Sequence, residues 1–200
     1  MFRSPKLLKK VFPLRLWGIT SSKQVVYLTF DDGPIPEVTP WLLDFLKEKG
    51  IKATFFCVGD NVVRYPELYQ RILTDGHQVG NHTMKHQNGM KTPQEEYLAS
   101  IDEASKVIDS HLFRPPYGRL DRRLDKALSK RFKIVMWTWL SKDYSVSIPP
   151  SKIIAAANRI KAGDILVFHD NQKTAHRLQE ILPPIVELLL AKKMTFSVIE

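Results

Sequence analysis

Val25-Val-Tyr-Leu-Thr-Phe-Asp-Asp-Gly-Pro34 opens with six residues that favour extended backbone and stops on two carboxylates and a Gly-Pro turn. A run of this composition bounded by turn residues reads as a buried strand. Apolar residues then recur at helical spacing, at Val38, Trp41, Leu42, Phe45 and Leu46, until Gly50 ends the helix. Strand followed by helix, with polar residues at the strand's end, is the repeating unit of an α/β fold.

The alternation continues downstream. Residues 52–58 read as the next strand and 61–74 as the next helix, and 78–81 form a short strand ahead of a polar loop. Pro93 opens a helix to about Ser110, Phe113 leads into a Pro-rich turn, 121–130 is helical, and 133–139 is β-rich. Ser151 caps a helix toward Lys161, and Ile165-Leu-Val-Phe168 is a short buried strand. Residues 174–191 form a long helix broken or kinked near Pro183-Pro184, and 194–199 a closing strand. About seven strand-helix units result, and parallel strands with right-handed crossovers curl into an open sheet or a barrel. Periodicity does not choose between the two, but in both the chemistry belongs at the C-terminal ends of the strands.

With 200 residues, 44% hydrophobic and 26% charged, the chain has the profile of one globular domain. Its net charge of +9 is unevenly placed: Arg3, Lys6, Lys9, Lys10, Arg15 and Lys23 supply six positive charges within residues 1–23, which hold no acidic side chain. The body, residues 24–200, lacks a basic stripe interleaved with stacking aromatics, so nucleic acid is not an expected partner. Pro13 and Arg15 interrupt the apolar stretch a signal peptide would need, and no run approaches the ~20 apolar residues of a membrane span. Residues 1–23 therefore read as a basic amphiphilic arm. Residues 1–17 fit either a segment lying on an anionic membrane surface or a simple packing arm, and the expected location is cytoplasmic or membrane-peripheral. Cys57, the only cysteine, lies in an apolar run and reads as a buried thiol.

Four strands end in reactive clusters. Asp31 and Asp32 are adjacent on a glycine turn with side chains pointing different ways, so that one can bind a metal while its neighbour handles a proton. Taken alone, the pair is also what a solvated Asp-Gly turn would show. His82 and His86, four residues apart, could grip one cation, and with a carboxylate they make a three-ligand site that leaves positions open for water and substrate. Arg114-Pro-Pro-Tyr-Gly118 reads as a stiffened turn that would fix the backbone N–H of Tyr117, a rigid donor suited to an oxyanion, or as a plain Pro-Gly turn with an exposed Arg. His169 ends the strand at 165–168, where it is a general acid or base near neutral pH or a satisfied core histidine.

Taken together and in order, Thr29–Gly33, His82–His86, Arg114–Gly118, Asp143-Tyr144 and Val167–Asp170 resemble the five motifs of the polysaccharide deacetylase (NodB-homology, carbohydrate esterase family 4) family, over roughly residues 24–199. The resemblance implies a distorted (β/α) barrel and a deacetylase of N-acetylated sugars, such as an N-acetylglucosamine-containing glycan or glycolipid. It implies that Asp32, His82 and His86 hold one divalent metal ion, commonly zinc, with cobalt, nickel or iron as alternatives. It makes Asp31 the general base, His169 the general acid, Arg114 the residue that orients Asp31, and Asp143 the one that holds His169 protonated. The family usually has Trp where Tyr144 stands and Leu where Val167 stands. Both replacements keep an apolar body, which implies an acetyl pocket reshaped and not abolished.

Two rivals are weighed against this reading. Two histidines and a carboxylate also describe the facial triad of a non-haem iron oxygenase, but that chemistry leaves the second aspartate, the Arg-Pro-Pro-Tyr turn and His169 unexplained. A carbohydrate-binding protein that kept the fold and lost catalysis is opposed by the intact acid, base and ligand residues.

Overall fold

The computed structural model describes residues 2–5 and 7–200. In chain order these form α1 (Leu7–Val11), β1 (Arg15–Leu16), β2 (Val25–Asp31), α2 (Thr39–Glu48), β3 (Thr54–Cys57), α3 (Gly59–Arg64), α4 (Pro66–Thr74), β4 (Gln78–Asn81) and α5 (Gln94–Ala104). There follow β5 (Leu112–Phe113), a 3-10 turn at Pro116–Gly118, α6 (Arg122–Leu128), β6 (Lys133–Val135), β7 (Trp139–Leu140), α7 (Pro150–Ala157), β8 (Ile165–His169), α8 (Ala175–Ala191) and β9 (Thr195–Ser197). The strands form one sheet in the order β1-β6-β5-β4-β3-β2-β8-β7, with β9 added beside β2, and every strand pairing is parallel. The sheet curls into the distorted (β/α) barrel expected from the motifs.

The two-residue period of β2 explains where the site sits. Val26, Leu28 and Phe30 face outward into the main core, packed with Leu42, Leu46, Ile181 and Ile185 of the surrounding helices. Val25 and Tyr27 face inward with Phe56, Leu112, Val135 and Ile165. Thr29 and Asp31 continue that inward row, so the strand that builds the barrel interior ends by placing a carboxylate at its C-terminal mouth.

Several element limits differ from those read in the sequence, each for a local reason. The helix expected at 61–74 is two: Tyr65 (φ −130, ψ 59) breaks the run because a residue before proline is disfavoured in the helical region. The helix opened at Pro93 ends at Ala104, well short of Ser110. The helix assigned a Ser151 cap starts at Pro150, whose fixed φ suits a first helical position. Helix α8 runs through Pro183 and Pro184 without a break, because the buried row Ile181, Leu182, Ile185, Val186 and Leu189 on both sides of the prolines outweighs the missing N–H groups.

The stretch 133–139 divides into strands at opposite ends of the sheet order: β6 pairs with β1 and β5, whereas β7 pairs with β8. The N-terminal segment touches both ends. Arg15 lies opposite Ile134, and Arg3 forms an antiparallel bridge with Trp139. Arg15 is buried against Asp125 at 2.8 Å, Arg3 donates to both oxygens of Asp164, and Phe2 stacks on Trp139. Residues 2–4 and 15–17 are thus packed into the barrel wall, while Leu7, Val11 and Leu14 stay exposed beside Lys9 and Lys10. Among the described residues no helix is long and apolar enough to cross a membrane.

Candidate active site

Every site residue singled out in the sequence lies at or just beyond the C-terminal end of a strand. Asp31 closes β2, His169 closes β8, and the two are cross-strand partners in register. Asp31 is held from inside the barrel. Arg114 follows β5, is completely buried, and lays its guanidinium 4.0 Å over the Phe56 ring. Its Nη1 donates to Asp31 Oδ1 at 2.6 Å and to Thr29 Oγ1 at 2.7 Å, its Nη2 to the Met136 carbonyl, and its Nε to that of Val135. A buried charge this fully hydrogen-bonded fixes its carboxylate partner in one orientation.

Asp32 turns away from Asp31 because its backbone adopts a left-handed φ of 88. Its carbonyl accepts from Asn61 Nδ2 at 2.8 Å and its Oδ2 from Asn171 Nδ2 at 2.6 Å. The other oxygen, Oδ1, is buried and makes no hydrogen bond. It faces His86 Nε2 at 3.0 Å and His82 Nε2 at 3.6 Å. Burial would raise the Asp32 carboxyl, but the two imidazoles and the charge of His169 outweigh it and hold the group well below its ordinary value. One ligand atom from each of Asp32, His82 and His86 lies within 4.8 Å of the others, the spacing a single cation requires. An orphaned carboxylate oxygen between two imidazole nitrogens fits that cation.

The histidines are oriented from behind. His82 Nδ1 lies 2.7 Å from the Arg114 carbonyl, which only accepts, so Nδ1 carries a proton and Nε2 is the nitrogen turned toward Asp32. His86 Nδ1 meets the Tyr117 hydroxyl at 3.1 Å. The loop between them starts from buried Asn81, whose Nδ2 donates to the Ile101 carbonyl and whose Oδ1 accepts the Thr83 N–H. Thr83, His86 and Tyr117 share with Asp32 a left-handed φ, of 64, 54 and 60 respectively. Such a conformation costs a non-glycine residue about 1–3 kcal/mol and persists only where the surroundings impose it. In the turn after Arg114 the closing hydrogen bonds come from the N–H groups of Gly118 and Arg119, not from that of Tyr117.

On the far side of Asp31, His169 Nδ1 meets Asp143 Oδ1 at 2.7 Å, and the other Asp143 oxygen accepts the His169 backbone N–H at 2.8 Å. Burial disfavours the imidazolium, yet the Asp143 carboxylate, with smaller help from Asp32 and Asp31, pushes the His169 pKa up to about 9. Tyr144 stands edge-on to the His169 ring at 5.2 Å, and Val167 is buried in β8. Burial pushes the Cys57 thiol well above its ordinary value, which leaves it without the thiolate a nucleophile needs.

The sequence assigns no role to four residues that support this arrangement: Thr29 and Asp170, which lie inside the first and fifth motifs, and Asn61 and Asn171, which lie outside them. Asp170 is buried and accepts the Gly33 N–H at 3.0 Å and the Thr39 hydroxyl at 2.9 Å, so it ties down the turn that carries both aspartates. A Cβ on Gly33 would lie 2.0 Å from Asp170 Oδ2, which is why only glycine fits there. The Asp-Gly and His-Asp pairs were visible as text, but their mutual contact across 137 residues was not.

The polysaccharide deacetylase family model matches residues 18–133. A peptidoglycan-N-acetylglucosamine deacetylase of Bacillus cereus is 32% identical over 179 residues, covering 84% of this chain and 84% of that one. A chitooligosaccharide deacetylase of Azorhizobium caulinodans is 32% identical over 161 residues, covering 76% of each. The crystal structure of the Bc1960 peptidoglycan N-acetylglucosamine deacetylase superimposes with a TM-score of 0.84 at 28% identity, covering 98% of this chain and 95% of that one. Some relatives are longer: the match spans 33% of the length of a peptidoglycan-N-acetylglucosamine deacetylase of Listeria monocytogenes.

Proposed function

This chain belongs to the polysaccharide deacetylase family, and on that premise we propose that it hydrolyses the N-acetyl amide of an N-acetylglucosamine-containing glycan, releasing acetate, with one divalent cation as cofactor. The observation that carries the proposal is the flanking of the Asp32–His82–His86 cluster by two polar dyads, Asp31–Arg114 and His169–Asp143. Held by Asp32, His82 and His86, a cation such as zinc supplies Lewis acidity, which polarises the acetamide carbonyl and lowers the pKa of water to about 7.

The remaining work falls to the chain's own groups. Asp31, immobilised by Arg114, takes a proton from the attacking water as its oxygen bonds to the carbonyl carbon. The backbone N–H of Tyr117 donates to the carbonyl oxygen as negative charge develops there, a contribution of about 3 kcal/mol for one such donor. His169, protonated at neutral pH by virtue of Asp143, delivers a proton to the sugar nitrogen as the carbon–nitrogen bond breaks. Water is consumed, and acetate and a free amine leave.

Acetate release from N-acetylglucosamine oligomers, measured on chelated protein and on protein restored with zinc or cobalt, tests the proposal. Release that follows the metal supports it. Binding of oligomer and metal without release sinks it in favour of a carbohydrate-binding role.

The exposed side chains Leu7, Val11 and Leu14 beside Lys9 and Lys10 support a second element of the proposal, contact of α1 and its flanks with an anionic membrane surface. A glycan presented at that surface then becomes the favoured substrate. Sedimentation with phosphatidylserine vesicles should lose the triple variant L7S/V11S/L14S; equal sedimentation of wild type and variant removes this element.

A further inference from the structure

We infer that Asn171 is a positioning residue that decides which oxygen of Asp32 meets the metal, an inference that rests on the metal site proposed above. Asn171 lies in none of the motifs read from the sequence. It follows His169-Asp170 and begins the turn that leads into α8.

Its amide is held from both ends. Oδ1 accepts the Thr174 N–H at 3.1 Å, and the Thr174 hydroxyl in turn donates to the His169 carbonyl at 2.6 Å. With Oδ1 so engaged, the amide nitrogen is the end turned toward Asp32, and it donates to Oδ2 at 2.6 Å. The opposite amide orientation would set an oxygen against a carboxylate and a nitrogen against an N–H, losing both bonds. One Asp32 oxygen is therefore occupied by a donor. The other is the buried, unpartnered Oδ1 that faces His82 and His86.

The consequence is a carboxylate restricted to one ligand atom. Two imidazoles and a single carboxylate oxygen leave a cation with positions open for water and for the acetamide carbonyl. A carboxylate free to bind through both oxygens would take one of those positions. Groups that orient metal ligands in this way typically contribute 10–100-fold to metal affinity.

Cobalt-substituted protein tests the assignment with readouts that do not depend on turnover. Asn171→Ser keeps a short oxygen able to accept the Thr174 N–H, so the turn into α8 persists, but removes the donor that reaches Asp32. Cobalt affinity by competition with a chelating dye should fall 10–100-fold in Asn171→Ser. In the Asn171→Ser protein the visible cobalt band should weaken as coordination number rises, while metal-free melting temperatures stay close to wild type. Equal affinity and equal spectra in wild type and Asn171→Ser overturn the role of Asn171 and leave the metal site intact. A wild-type chain that takes up no cobalt overturns the metal site and this inference with it.

Discussion

Arg114 and Asp31 meet at 2.6 Å with side chains 0% and 6% exposed, a charge pair sealed inside the mouth of a parallel barrel. Removing one member leaves the other charged and dry. Arg114→Met should cost about 3–5 kcal/mol of stability by denaturant titration. Arg114→Lys retains the charge but lacks the planar fork that reaches Asp31, Thr29 and two carbonyls at once. Its kcat should fall about 100-fold or more, the scale on which misplacement of a catalytic group costs rate, with metal still bound.

The two neighbouring aspartates should separate cleanly. Asp31→Asn is expected to abolish acetate release while metal content after dialysis, read by atomic emission, stays near one equivalent. Asp32→Asn and His82→Gln should lose the metal itself. Loss of metal in Asp31→Asn would assign that residue to coordination instead.

His169 gives the site a pH signature. Its pKa is raised from an ordinary 6.5 to about 9, so the folded chain holds a proton that the unfolded chain releases between those values. The His169–Asp143 pair thus contributes stability that is complete below about pH 6.5 and is lost as pH rises through about 9. In metal-free protein Asp143→Asn should therefore be destabilising at pH 6 and nearly neutral in that respect at pH 10. In the active enzyme the same substitution should move the basic limb of the kcat profile to lower pH. An unmoved limb would remove His169 as the acid.

His77 has the opposite sign at a place remote from the chemistry. Burial, and then the positive charge of Lys52, lower its pKa from 6.5 to about 4, and its Nδ1 accepts the Ala53 N–H at 3.1 Å. The unfolded chain takes up a proton here that the folded chain refuses, so this contribution is present above pH 6.5 and lost as pH falls toward 4. His77→Asn should show a smaller drop in melting temperature between pH 7 and pH 4 than wild type.

The N-terminal segment should behave as part of the barrel where it is buried and as a surface where it is not. Arg15 and Asp125 pair at 2.8 Å with side chains 4% and 6% exposed, so Arg15→Ala should cost about 3–5 kcal/mol. Leu7→Ser, at a side chain 66% exposed, should change stability by no more than about 0.5 kcal/mol. Thermal melts of the two variants distinguish a structural strand from an appended arm.

By itself the sequence determined the alternation of strand and helix and the gathering of the candidate site residues at the strand ends. Those features are local. The inward row Val25, Tyr27, Thr29 and Asp31 follows from the two-residue period of a strand, and the stiff turn after Arg114 from its prolines. The His82–His86 spacing marks a candidate ligand pair for the same reason. What only the tertiary structure decided depends on contacts between residues distant in the chain. Sequence patterning did not show that residues 136–138 carry the chain from one end of the sheet order to the other, or that Arg15 completes a strand there. Nor did it show that Asp170 and Asn171 reach back to Gly33 and Asp32. Polar residues in turns look alike as text, since their side chains are specified by no periodicity. Parallel pairing of β2 with β8 sets their C-terminal ends side by side, and that proximity selects which amide or carboxylate finds a partner.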